Sequence, residues 1–219
     1  MRVGALLFLI LLSAGAVSAE TVNSAVGQVG DHVVTSREVW ISNFLERWTL
    51  ASRSTDASVK SPKPDWKPAL KSDAFNQAAS NLLLEIMVAQ EAENFSIAQI
   101  EDGNLKHEVS EVQKAMTGST DWAHLEVSNE LLEKFIARKH RAQNFLKFKT
   151  ESAGVAISDE EAKSYFEKNR LKFGHLPFAQ FKESIKEVLS RQMLEERLKD
   201  WFEVLRRKYR VRFLGSQAA

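Results

Sequence analysis

The sequence has no cysteine. That excludes a disulfide scaffold, a thiol nucleophile, thiolate metal ligands and a lipidated N-terminal cysteine, so stability has to come from packing. Proline is scarce as well. Three of the four fall in one stretch, at Pro62, Pro64 and Pro68, and the fourth, Pro177, stands before a helical pattern, where a missing N–H costs nothing. There is no Gly-rich phosphate loop, no G-x-S-x-G elbow and no HExxH pair among the five histidines. No cofactor, metal site or catalytic residue is expected, and the chain does not read as an enzyme. After the N-terminal region no apolar run approaches the roughly 18 residues of a membrane span, so stable membrane insertion is not expected.

Charge of one sign is also missing. Arg2, the apolar run Val3 to Leu12 and the small residues Val17, Ser18 and Ala19 have the form of a signal peptide over residues 1–19. Cleavage after Ala19 leaves 200 residues carrying 29 basic and 29 acidic side chains. A net charge of zero offers no global attraction for nucleic acid. Export to the periplasm and one helical domain over 20–219 are the expectations, since 200 residues suffice for a true core.

Helical periodicity dominates what remains. Val26, Val29, Val33 and Val34 flank a Gly-Asp turn, and Thr35 to Glu38 fits a capping box that starts a helix over about 36–50. That helix carries the aromatic stripe Trp40, Phe44 and Trp48, readable as core or as the lining of a groove. The Pro-rich stretch 51–72, with Trp66, reads as an exposed, flexible loop. Periodicity returns over Ala74 to Asn94, more weakly over Glu101 to Met116, and in a short helix near Trp122. A helix capped by Ser128 has a basic side from Lys134 to Lys149, either a solvated face or a contact for an anionic partner. Ser158 and Glu161 form a second capping box.

The longest element runs from Phe178 to Lys208, with Phe178, Phe181, Ile185, Val188, Leu194, Leu198, Trp201 and Leu205 on a 3.6-residue period. At Tyr209, Val211 and Phe213 the period changes to two, the mark of a strand. Val26 to Val34 is the main candidate partner, with a further possible strand at Val155 to Ile157. The fold class is therefore mainly α, with a small β element joining the chain's two ends and residues 155–214 packing back on the N-terminal segment. Such long-range pairing also permits a homodimer by element exchange.

Four segments in order are similar to the core module of the SurA-type periplasmic chaperones: VGQVGDHVVTSREVWISNFL, ASNLLLEIMVAQEAENFSI, VAISDEEAKSYFEKNRLKF and the ending from Leu176 to Leu214. Within them Val34, Thr35 and Glu38 resemble the family's helix start. Ser158 to Glu161, Tyr165, Asn169 and Phe173 resemble its "S/T-D-E-E" and "Y-x-x-N-x-x-x-F" pattern. The resemblance implies a helical module that binds unfolded, aromatic-rich outer-membrane protein segments without nucleotide. The parvulin prolyl isomerase domains of many relatives have no room here, since only Phe173 to Pro177 occupies their place, and the 51–72 loop is a further departure.

On this reading Trp40, Phe44, Trp48 and Trp122 are the candidates for peptide contact at the surface, with Trp66 as a mobile contact. The leading function is an ATP-independent holdase. The alternatives are an envelope scaffolding protein with one dedicated partner and, less favoured without a parvulin domain, a peptidyl-prolyl isomerase.

Overall fold

Residues 23–53, 66–95, 102–154 and 156–214 are described by a computed structural model. The valines at the start form β1 (Ala25–Val29) and β2 (His32–Thr35), joined through Gly30 at φ 57°. Only a residue without Cβ takes this left-handed turn at little cost. The capping box is present: Thr35 N–H donates to the Glu38 carboxylate at 2.9 Å and Glu38 N–H to the Thr35 hydroxyl at 3.3 Å. It opens α1 (Ser36–Arg53). Five further helices complete the body and its extension, α2 (Asp73–Phe95), α3 (Asp102–Ala115), α4 (Thr120–His124), α5 (Asn129–Ser152) and α6 (Asp159–Lys168). Ser128 and Ser158 cap α5 and α6 as their sequences indicate, the latter with both bonds of a capping box.

A short turn of helix, α7 (Arg170–Phe173), and a 3₁₀ turn at Phe178–Gln180 lead into α8 (Lys182–Lys208). The long helix therefore starts four residues later than its periodicity suggests, because Pro177 opens the 3₁₀ turn rather than the α-helix. At 27 residues it is about 40 Å long. The strand β3 (Arg212–Phe213) follows.

The two ends of the chain meet. The sheet order is β2-β1-β3, antiparallel throughout, with Gly27 opposite both Val34 and Phe213. Gly30 N–H donates to the Tyr209 carbonyl at 2.6 Å and Leu214 N–H to the Val26 carbonyl at 2.7 Å, so pairing continues past the strand's formal limits. The fold is mainly helical, with a small sheet tying the N-terminal and C-terminal strands. Val155 lies outside the described residues, and Ala156 and Ile157 are not in a strand.

Three apolar clusters hold the chain. The main core joins β1, β2 and α1–α5, with Leu205 of α8 sealing it. A second gathers Val88, Ala89, Ala92, Ala142 and Phe145 of α2 and α5 under Trp201 and Phe202. The third is separate: Ala162, Phe166 and Ile185, covered by Phe173, Phe178, Phe181 and Leu189. The single apolar stripe of α8 thus serves the third cluster at its start and the first two at its end. Val188, which shares its period, is 43% exposed.

Candidate binding surface

The five aromatic residues that the sequence offers for peptide contact come together, but inward. Trp40 and Phe44 are fully buried, Trp66 and Trp122 nearly so, and Trp48 packs on the core's margin. Phe44 is the hub, with Trp48, Trp66 and Trp122 at ring-centroid distances of 6.2, 5.6 and 4.9 Å. Stacked, edge-on and tilted contacts of this kind stabilise beyond simple area burial. The expectation of Trp40, Phe44 and Trp122 as surface residues and of Trp66 as a mobile contact is therefore corrected. The reason is that Trp66 and Trp122 complete a pocket α1 cannot close alone.

The loop expectation changes with it. Ala51–Arg53 belong to α1, residues 54–65 lie outside the described residues, and Trp66 to Pro68 are fastened down. Asn43 donates its amide to the Trp66 carbonyl at 2.6 Å, and the Trp40 indole donates to the Pro68 carbonyl at 2.9 Å. Two backbone acceptors beside an aromatic core thus find donors from α1, which removes the usual penalty for a loop running over apolar surface.

The aromatic side chains that reach solvent are elsewhere. Phe95, at the end of α2, and Phe148, on α5, are 53% and 43% exposed, and both pack on buried Phe145 at 5.5 and 6.3 Å. Trp201 of α8 meets the same ring at 6.0 Å, and the Lys149 ammonium stands 5.4 Å from the Trp201 ring. Beside this fringe, Leu84, Val88, Ala142, Leu146 and Phe202 line a hollow of about 310 Å³ between α2, α5 and α8. A second hollow of about 350 Å³ adjoins it, sharing Leu84 and Phe202 and continuing along α8 past Leu198. Together they make an apolar groove beside the long helix, with Glu46, Glu195, Glu203, Lys199 and Arg206 supplying charge of both signs around it.

The basic side of α5 is largely occupied within the molecule. Glu85 of α2 takes Arg138 at 2.8 Å and Lys139 at 3.3 Å, Glu93 takes Arg141, and Glu108 of α3 meets His140 at 2.8 Å. These pairs lie across helix packing contacts. Lys139 is buried, so its charge relies on Glu85 for compensation.

A last cluster fixes the end of α8. Lys208 and Tyr209 both donate to one oxygen of Glu91, at 2.5 and 2.6 Å, and the Asn94 amide donates to the Tyr209 hydroxyl at 2.8 Å. Burial pushes the Glu91 carboxyl up, but the Lys208 and Tyr209 hydrogen bonds and the Lys208 charge outweigh it and hold it below the usual carboxylate range. Burial and the Glu91 carboxylate together raise the Tyr209 phenol. Among the described residues no group of three His, Asp or Glu side chains gathers to hold a metal ion. No described helix is long and apolar enough to cross a membrane.

The class these features define is a mainly helical protein whose N-terminal and C-terminal strands meet in one sheet and whose apolar groove is lined in part by half-buried Phe202. No family model matches the chain, and no curated protein or solved structure does so. Sequence reasoning missed Phe95, Phe148 and Phe202 as surface groups. Their signal was faint: each lies at a helix end or beside a stripe rather than at its centre.

Proposed function

We propose that this chain is an exported, ATP-independent holdase that binds extended, aromatic-rich segments of unfolded polypeptide along α8, outer-membrane proteins being the client class. The observation that carries this reading is the apolar groove through Leu84, Leu198 and Phe202, with exposed Phe95 and Phe148 nearby and no segment of the described chain covering it. The sequence supports it through the exported start and the SurA-type order of segments.

The energetics suit holding and release. Two client aromatics burying about 150–250 Å² each, at about 25 cal/mol/Å², contribute roughly 8–12 kcal/mol before an association cost of about 4–15 kcal/mol. Net affinity is modest, so a client leaves without nucleotide, while its aggregation-prone segments stay apart as long as it is bound.

The test is light scattering from a urea-diluted outer-membrane protein with increasing amounts of the chain. Phe148→Ser with Leu198→Ser should weaken suppression several-fold, while helical circular dichroism and the cooperative melt persist. Equal suppression by the variant refutes the groove. Crosslinking in the periplasm should capture assorted unfolded clients. One stoichiometric folded partner would favour a scaffolding role instead, and acceleration of an X-Pro peptide's isomerisation would overturn the non-enzymatic reading.

A further inference from the structure

The third cluster carries a feature the groove does not use. Leu171, within α7, is 100% exposed, and Leu176, in the turn that joins α7 to the 3₁₀ segment, is 50% exposed. The turn is built firmly. Arg170 donates to the Leu176 carbonyl at 2.9 Å while its guanidinium lies over Phe166 at 4.6 Å. Beneath it Phe173 packs on Phe166 and Phe181, each at 5.0 Å. Gly174, at φ 60° with open space where a Cβ would stand, turns the chain back. The aromatic rings hold the base, and the two leucines project from it.

The charged residues near them in sequence are mostly basic. Between Ala162 and Gln180 the only carboxylate is Glu167, against Lys163, Lys168, Arg170 and Lys172. All four cations are exposed, and among the described residues no carboxylate lies within ion-pair distance of Lys163, Lys168 or Lys172. The acids Asp159 to Glu161 stand at the far end of α6, where Asp159 is held by Lys182 and Lys186. The whole sequence, by contrast, has a net charge of only +1.

We infer that the tip Arg170–Leu176 is a membrane-contact site that seats Leu171 and Leu176 at the interface of an anionic lipid bilayer. Exposed leucines with exposed lysine and arginine close by in sequence match the two layers they would meet, acyl chains below and phosphates at headgroup level. The long cationic side chains can reach upward to the phosphates while the leucines sit deeper. A protein partner would need a broad complementary surface with pockets, and a tip presenting two leucines offers neither. The contact is peripheral and reversible, since so small an apolar wedge cannot anchor a protein alone. It places the α6–α7 end of α8 at a lipid surface and leaves the groove at the other end of the same helix.

The absence of native cysteine makes the test specific. Full-length Leu171→Cys, labelled with an environment-sensitive fluorophore, is titrated with vesicles of phosphatidylglycerol mixed with phosphatidylcholine, and separately with phosphatidylcholine alone. Leu50→Cys, 62% exposed on α1, carries the control label. The expected result is a blue shift at position 171 with anionic vesicles only, no shift at position 50, and quenching by brominated acyl chains. Lys168→Gln with Lys172→Gln should weaken vesicle binding at the tip roughly 25-fold, about fivefold per cation, and high salt should do the same. No shift with anionic vesicles overturns the inference, as does an equal shift with neutral vesicles. A shift produced by a reduced, unfolded protein and not by vesicles would also overturn it, assigning the tip to polypeptide. None of these results depends on the groove's activity.

Discussion

Gly27 is the position where the pairing of the chain's ends can be tested with one methyl group. It stands in β1 opposite Val34 on one side and Phe213 on the other, over α2. A Cβ there would lie 2.9 Å from the Arg212 carbonyl oxygen and 2.9 Å from a Leu83 methyl carbon. The first obstacle is backbone, and the second belongs to a core residue only 4% exposed, so neither yields freely. Overpacking of this kind costs about 1–3 kcal/mol, while alanine's smaller unfolded-state entropy returns about 0.4–1 kcal/mol. Gly27→Ala should therefore destabilise by roughly 1–2 kcal/mol. In urea, with a slope of about 2 kcal/mol/M, that lowers the midpoint by about 0.5–1 M.

Two other glycines separate the causes. At Gly154 the nearest atom to a new Cβ is 3.9 Å away, so Gly154→Ala should be neutral or stabilising by up to about 1 kcal/mol. Gly30 has open space but a positive φ, so Gly30→Ala should cost about 1–2 kcal/mol through backbone strain alone. Hydrogen exchange supplies the local readout. Gly27→Ala should accelerate exchange of the Leu214 amide, which bonds across the strand pair, well before global unfolding. If Gly27→Ala melts like Gly154→Ala and protection at Leu214 is unchanged, the tight β1–β3 pairing over α2 is refuted.

Other sites give further tests. Glu85→Ala leaves Arg138 and buried Lys139 without their shared carboxylate and should cost about 2–4 kcal/mol in chemical denaturation, whereas Lys139→Met, which leaves the Arg138 pair intact, should cost less than about 1.5. Phe44→Ala removes the hub of the aromatic core and should cost about 3–5 kcal/mol in the melt, so any loss of client binding should track unfolding; a stable Phe44→Ala would show that the ring is dispensable to packing. Because the Glu91 pKa is lowered on folding, its contribution is complete above the unfolded value of about 4.3 and is lost as pH falls through the lower folded value; stability should drop below about pH 4.3 in the native chain and less in Glu91→Gln. Lys208 and Tyr209 have raised values, Lys208 chiefly through its hydrogen bond to Glu91 and Tyr209 chiefly through burial, so their contributions persist below about pH 10 and fade as pH rises through the folded values; an acid limb shared by Glu91→Gln would refute the clamp.

The parts of the fold that were legible are those written locally. Thr35 with Glu38 and Ser158 with Glu161 mark helix starts because both partners of each bond sit within one turn. The change of period at Tyr209 marks the last strand because alternation is a property of the segment itself. The fate of Trp40, Phe44 and Trp48 was not legible. A helical stripe states that a face is apolar, but not whether Trp66 and Trp122, far away in sequence, arrive to cover it. Trp66 was the hardest, since its Pro-rich surroundings read as loop while its ring packs in the aromatic core and its carbonyl accepts from Asn43 of α1. The basic run on α5 had the same ambiguity, resolved by acids on α2 and α3.

The long helix carries the largest consequence of this difference between local and distant information. In α8 the only fully buried positions are Ile185 and Leu205, about 30 Å apart along the axis, and each belongs to a different core. A helix packed along its whole length needs an unbroken apolar stripe on one side. This one needs apolar residues that fit at its two ends, so its middle is free to combine polar charge pairs, such as Arg191 with Glu187, and half-exposed Leu194 and Leu198. Helical propensity, such pairs and the Arg197 hydrogen bond to the Ala153 carbonyl hold the middle, and apolar packing holds the ends. The element that closes the sheet through Lys208 and Tyr209 is therefore also the element that carries the α6–α7 tip away from the main core. The exposed groove follows from the same division of labour: a helix whose buried residues lie only towards its ends leaves Leu84, Leu198 and Phe202 beside it incompletely covered, without any residue having to be placed there at the expense of the core.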